Sequence, residues 1–198
     1  MRISNPQQIK HLAVQVIFSL AVMSSLAACV PIVAGGAAAG GAVAADRRTS
    51  GIFVEDENIE LKAVKYAETS LGENAHINIT SYNRNVLLTG EAPDEETKAK
   101  AEAFAKSIQN VLTVTNEIVV GPKSSFSSRS NDAYLTSKVK TQFVTENRFQ
   151  ANYVKVVTEN SVVYLLGIVN QAEADAATEI ASNTSGVEKV VKVFEYVN

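Results

Sequence analysis

Hydrophobic and polar positions fall into two rhythms, and the same succession of rhythms occurs twice along the chain. Apolar side chains at Ile59, Ala63, Tyr66 and Ala67 recur at i, i+4, i+7 and i+8, the signature of one helical face. Ile77 and Ile79 then alternate with Asn78 and Thr80, and Val86 and Leu88 with Leu87 and Thr89, which predicts two strands. Tyr82-Asn83-Arg84-Asn85 is the turn-forming bridge between them. Pro93 gives the next helix a rigid start, and Asp94, Glu95 and Glu96 lie at the positive end of its dipole. Ala99, Ala103, Phe104 and Ile108 are its expected apolar face. Val111 to Val120, rich in β-branched residues, completes an αββαβ order with a final strand.

The second copy lies 76 or 77 residues downstream, with one-residue shifts where loops are expected. Asp132, Leu135, Val139 and Phe143 answer to Asp56, Ile59, Ala63 and Ala67; Val163, Leu165 and Gly167 answer to Val86, Leu88 and Gly90. Asp56 and Asp132 are placed as N-caps or first-turn acids. Glu159-Asn160 is the second turn, Gly186 a helix terminator, and Val187 to Val197 the last strand. Between the copies, Gly121 to Ser130 holds a glycine, a proline and five serines, and reads as a loop. A module of about 65 residues buries only about 60% of its unfolded surface, so the two copies are expected to pack together.

The first 45 residues follow another logic. Arg2 and Lys10 precede a run from Leu12 to Ala45 without a single charge, the layout of a secretory signal. Leu26-Ala27-Ala28-Cys29 resembles a bacterial lipobox, which implies cleavage before Cys29, a thioether-linked diacylglycerol on its thiol and acylation of the new amino terminus. Val30 in the next position, by resemblance to enterobacterial-type lipoproteins, implies sorting to the outer membrane. A retained spanning helix is the alternative, since the uncharged run is long enough. Pro31, Gly35-Gly36 and Gly40-Gly41 interrupt it, and Ala34 to Ala45 reads as a flexible tether. The expected organisation is a leader over 1–28, lipidated Cys29 and tether over 29–50, modules over 51–120 and 131–198, and a linker over 121–130.

Composition narrows the chemistry. Of 198 residues, 46% are hydrophobic and 20% charged, with one cysteine, two histidines and a net charge of −3. A lone cysteine excludes a disulfide framework and multi-cysteine zinc sites, and the acidic balance argues against nucleic acid. No nucleophile elbow, phosphate loop or redox pair occurs, so neither catalytic residues nor a cofactor is expected. Asp94-Glu95-Glu96 is explained by a helix start, and His76, at the entrance to a strand, is expected to be solvated or capping rather than a metal ligand.

The αββαβ order, Gly90 and Gly167 at the ends of the second strands, and Gly186-Val187 before the last strand resemble the BON domain family. Asn131-Asp132, Lys138-Val139-Lys140, Val156 and Thr158-Glu159-Asn160 carry the likeness best; Asn110 stands where glycine is usual. The resemblance implies an α+β fold of two tandem αββαβ modules, each a small mixed sheet with two helices, behind a cleaved lipoprotein signal peptide. It further implies an outer-membrane lipoprotein on the periplasmic side whose second module binds anionic phospholipid and supports envelope integrity.

Charge agrees on which module that is. Asp46 to Gly121 holds 8 basic and 13 acidic residues, whereas Pro122 to Asn198 holds 8 of each, and an acidic surface is repelled by anionic lipid. At 100° per residue, Tyr134 and Lys138 lie about 120° from the centre of the second module's helical stripe, near its solvent edge. The family's lipid contact, carried over by resemblance, falls on Tyr134, Leu135 and Lys138 and on Gly167, Ile168 and Val169. A half-buried packing role for Tyr134, and a strand continuing into the core at Ile168-Val169, are the structural alternatives. Two other functions compete: an adaptor whose acidic first module docks envelope proteins, and a haemolysin-like factor, for which a long exposed amphipathic helix is wanting. The sequence leaves the oligomeric state unassigned.

Overall fold

The computed structural model describes residues 46–197. The expected leader, Cys29 and the Gly/Ala run therefore lie outside the described residues. The elements are α1 (Ser50–Ser70), β1 (His76–Tyr82), β2 (Asn85–Ala92), α2 (Glu95–Ser107), β3 (Thr113–Asn116) and β4 (Val119–Val120). They repeat as α3 (Phe126–Glu146), a 3-10 turn (Ala151–Tyr153), β5 (Val154–Glu159), β6 (Val162–Val169), α4 (Gln171–Ser182) and β7 (Lys189–Tyr196). Two αββαβ units are thus present, as the rhythms predict.

In each unit a hairpin is followed by a helical crossover that returns the chain parallel to the hairpin's second strand. β1 pairs antiparallel with β2 and β3 parallel to it; β5, β6 and β7 repeat the arrangement. The second strand is therefore central in both mixed sheets. The first unit's last strand is broken. Glu117 and Ile118 leave the ladder before β4 rejoins it beside Ala92, and the Ile118 side chain turns into the core.

Alternation along the central strands divides the apolar residues between two destinations. Val86 and Leu88 face Ile59, Ala63, Ala101 and Ala105, while Val163 and Leu165 face Val139, Phe143, Ala177 and Ile180. The residues between them, Leu87, Tyr164 and Leu166, join Tyr82 in a third core flanked by Val157, Val162, Ile168, Val191 and Val193. Each sheet is thus covered by its own helices on one face and by the other sheet on the opposite face. A strand buried on both faces reads as a continuous apolar run, which accounts for Val86-Leu87-Leu88 and Val162 to Val169. Each fully buried side chain in this third core contributes about 1.5–3 kcal/mol, enough to bind together two units that are marginal alone.

Several expectations are corrected. The segment read as a linker ends at residue 125, because Ser125 caps α3 by accepting from the Ser128 N–H and the helix runs on from Phe126. The far end of the expected tether is fixed rather than flexible. Arg47 makes a bidentate ion pair with Glu173, donates to the Ile168 carbonyl at 2.8 Å and lies over the Tyr153 ring. Arg48 pairs with Asp46 and buried Asp56 and lies over Tyr82. The buried face of α2 is Ala101, Ala105 and Ile108, with Phe104 stacked on Tyr66; Ala99 and Ala103 are exposed. Asp94 is the expected cap, accepting from the Thr97 N–H at 2.7 Å.

Candidate functional site

Helix α3 carries the surface of interest, and two sets of contacts fix its rotation. Leu135, Val139 and Phe143 are buried at helical spacing. Asp132, also buried, is not a cap: it is the seventh residue of the helix, and its carboxylate accepts the backbone N–H groups of Asn160 at 3.0 Å and Ser161 at 2.9 Å. Asp56 plays the same part in α1, accepting from the N–H groups of Asn83 and Arg84 at 2.9 and 2.7 Å. These carboxylates clamp helix to hairpin in both modules.

With the rotation set, Tyr134 is 63% exposed, and Phe126 and Val144, outside the expected site, are 79% and 68% exposed. Arg129, Lys138 and Lys140 share the helix, and Asp132, turned into the protein, is its only acid before Glu146. The Lys138 ammonium donates one hydrogen bond to the Ser185 carbonyl at 2.8 Å. Helix α1 also exposes Val54, Leu61 and Val64, but between Glu55, Glu57, Glu60 and Glu68.

The expected six-residue contact does not assemble. Leu135 is 2% exposed and Val169 0%, both core residues, and Gly167 is buried beneath the Tyr153 carbonyl. Ile168 packs into the inter-sheet core, and its carbonyl is taken by Arg47. Gly167 to Val169 also lie at the far end of β6 from the Asn160-Ser161 turn held by α3, roughly 20 Å along the strand. Tyr134 and Lys138 alone of the six belong to an accessible face. Phe126 and Arg129 escape a reading of the sequence because the serines of 124–130 hide the helix start; Lys140 and Val144 lie within the expected helix, off its buried stripe. Ser125, three residues before the Ser128 N–H it caps, is the signal that could have found Phe126 and Arg129.

A second group of polar side chains converges where the modules meet. His76 opens β1 directly opposite Glu91 of β2, and its Nδ1 lies 3.2 Å from Glu91 Oε2. The histidine is thus half-buried and paired, not simply solvated. The Asn160 amide donates to Glu91 Oε1 and the Asn78 amide to Glu159 Oε2, each at 2.6 Å, so each module supplies the amide for the other's carboxylate. Burial pushes the Glu159 carboxyl up, and only the Asn78 and His76 interactions oppose it. Burial acts on Glu91 in the same sense, but hydrogen bonds from Asn160, the Ser124 N–H and His76 outweigh it and hold that carboxyl below the ordinary range.

The two shifts act on stability in opposite directions. A raised Glu159 contributes stability that is present at low pH and lost as pH rises through its folded pKa. Glu91 contributes stability present above the ordinary carboxylate value and lost as pH falls through its lowered folded pKa. Stability is therefore expected to rise as pH drops through the raised Glu159 value to the ordinary carboxylate value, and to fall as pH drops further toward the lowered Glu91 value. Glu159→Gln should abolish the rise in urea midpoints measured across that range; an unchanged profile in the variant would contradict the assignment.

The paired αββαβ units with their clamped hairpins define the class: the chain belongs to the BON-domain family, whose pattern matches residues 56–122 and 131–198. It is similar to the outer membrane lipoprotein DolP of Haemophilus influenzae, with 43% identity across 87% of this chain and 91% of that one. It is also similar to a 21 kDa hemolysin of Actinobacillus pleuropneumoniae, with 39% identity across 77% and 79% of the two chains. Osmotically-inducible protein Y of Escherichia coli (strain K12) is 27% identical across 71% and 72%. The chain is a lipid-anchored lipoprotein of the outer membrane. Among the described residues no helix is long and apolar enough to cross a membrane.

Proposed function

We propose that this lipoprotein faces the periplasm and rests its second module on anionic phospholipid through the exposed face of α3, and thereby supports the integrity of the outer membrane. The observation that carries this reading is the composition of that face. Phe126, Tyr134 and Val144 project from a helix with three basic residues and no outward acid before Glu146. Aromatic rings favour the headgroup level, and each basic residue near an anionic surface contributes about 1 kcal/mol. Acyl chains on Cys29 would keep the protein at the membrane, so the second contact can be weak and still be occupied, because tethering raises its effective concentration. No group with catalytic geometry is needed for this role.

Flotation of the chain from Asp46 onward, which lacks the acylated Cys29, with vesicles of phosphatidylglycerol and phosphatidylethanolamine tests it. Tyr134→Glu removes an exposed ring and adds a repelled charge, and is expected to weaken vesicle binding about tenfold while leaving thermal stability within about 0.5 kcal/mol. Equal flotation of wild type and Tyr134→Glu would remove α3 from the contact. Binding that persists with purely zwitterionic vesicles would remove the anionic selectivity.

A further inference from the structure

We propose that His76, Glu91 and Glu159 form a binding site for a divalent transition-metal ion of the zinc class, placed so that one ion is held by both modules. One ligand atom from each of the three residues lies within 4.8 Å of the other two. Ligand bonds of about 2.0–2.1 Å in a tetrahedral zinc site place neighbouring ligand atoms about 3.3 Å apart. The 3.2 Å between His76 Nδ1 and Glu91 Oε2 already has that spacing, and Glu159 offers its ligand atom within 4.8 Å of both. One imidazole nitrogen with two carboxylates suits zinc-class ions better than magnesium or calcium, which favour six or more oxygens.

The surroundings support such a site on three counts. Glu159 is 6% exposed and receives one hydrogen bond, from Asn78, so most of its acceptor capacity is unused by the protein. The Asn78 and Asn160 amides fix the two carboxylates from outside the ligand set, the role that outer hydrogen bonds play around metal ligands. The third count is access. A surface cleft of about 350 Å³, lined by His76, Asn78, Asp132 and Glu159, opens onto the group and leaves room for water as a further ligand.

The competing charges are accounted for. Asp132 faces the cleft but is engaged in clamping the Asn160-Ser161 turn. Arg129 also lines the cleft, and its guanidinium donates to the Ser124 carbonyl at 3.1 Å. Two buried carboxylates converge on one point, and no lysine or arginine among the described residues pairs with either to supply a full positive charge. A divalent ion supplies it. Because His76 and Glu91 belong to the first module and Glu159 to the second, occupancy would tighten the junction between them.

The full-length lipoprotein in detergent, titrated with zinc chloride, tests this. Zinc at about a hundredfold above its Kd is expected to raise Tm by about 5–10 °C, with magnesium and calcium producing no shift. His76→Gln is expected to abolish the zinc shift and Glu159→Gln to weaken binding at least tenfold. In wild-type protein the imidazole resonances of His76, assigned by their through-space contacts to protons of β1 and β2, should move on addition of one equivalent of zinc. That reading does not depend on the variants folding. An equal Tm rise in His76→Gln, or His76 resonances unmoved by saturating zinc, would overturn the site.

Discussion

Gly90→Ala is expected to destabilise the chain by about 4 kcal/mol, enough to unfold the first module under conditions where the wild type is intact. Gly90 has φ +101, a region closed to side-chain-bearing residues. A Cβ there would also meet the His76 carbonyl oxygen at 2.0 Å, well inside any tolerated contact. The obstacle is backbone, not a flexible side chain, so relief requires prising β1 from β2 next to the Ile77–Gly90 pair. Gly167 repeats the constraint: its Cβ would lie 2.5 Å from the carbonyl of Tyr153, the residue that corresponds to His76 in the other module. Gly121 is the control, since nothing lies within 4 Å of where a methyl group would sit, and Gly121→Ala should cost less than about 0.5 kcal/mol. Urea melts of the three variants check the order. A Gly90→Ala midpoint close to that of Gly121→Ala would show that the hairpin tolerates the displacement.

The parts of this fold that can be read in the sequence are those in which one physical requirement dominates a stretch of chain. Ile59 and Ala63, and Leu135, Val139 and Phe143, face a core directly, and their spacing announces it. The central strands are legible for the same reason, and so is the repeat. Misreadings occur where the pattern permits two answers. Helix α2 carries alanine at 99, 101, 103 and 105, so hydrophobicity marks opposite faces equally and only packing against β2 selects Ala101 and Ala105. The first turns of α1 and α3 bury no side chain, so serines at 50, 127 and 128 read as loop although Thr49 and Ser125 cap real helices. Most of the expected lipid contact fails for a related reason. Ile168 is apolar because a second sheet covers it, a long-range pairing that no local periodicity reveals. His76 looks solitary in the sequence for the same reason, since Glu159 comes from 83 residues away in the chain.

Asp56→Ala is expected to cost about 4 kcal/mol and Asp132→Ala about 3, the largest losses among exchanges that introduce no clash. Both hairpin turns have two successive residues at positive φ: Asn83 at 52 and Arg84 at 65, Asn160 at 48 and Ser161 at 62. Such turns favour glycine at the second position, and a side chain there costs about 1–2 kcal/mol. The helix carboxylate offsets that cost by accepting both turn N–H groups, and a hydrogen bond to a charged group contributes about 1.5–3 kcal/mol. Asp56 holds more than Asp132 does: Ser81 Oγ donates to it at 2.7 Å and the Arg48 guanidinium at 2.9 Å, so its removal also leaves a buried arginine with Asp46 alone. The mechanism makes a sharper demand than destabilisation. In the wild type, where the carboxylate holds Ser161 at positive φ, Ser161→Gly should gain about 1 kcal/mol by relieving that strain, whereas in the Asp132→Ala background the released turn can relax and the same exchange should gain less. Urea denaturation of the four proteins yields the coupling directly. If Ser161→Gly has the same effect in both backgrounds, Asp132 acts through burial alone and does not hold the turn.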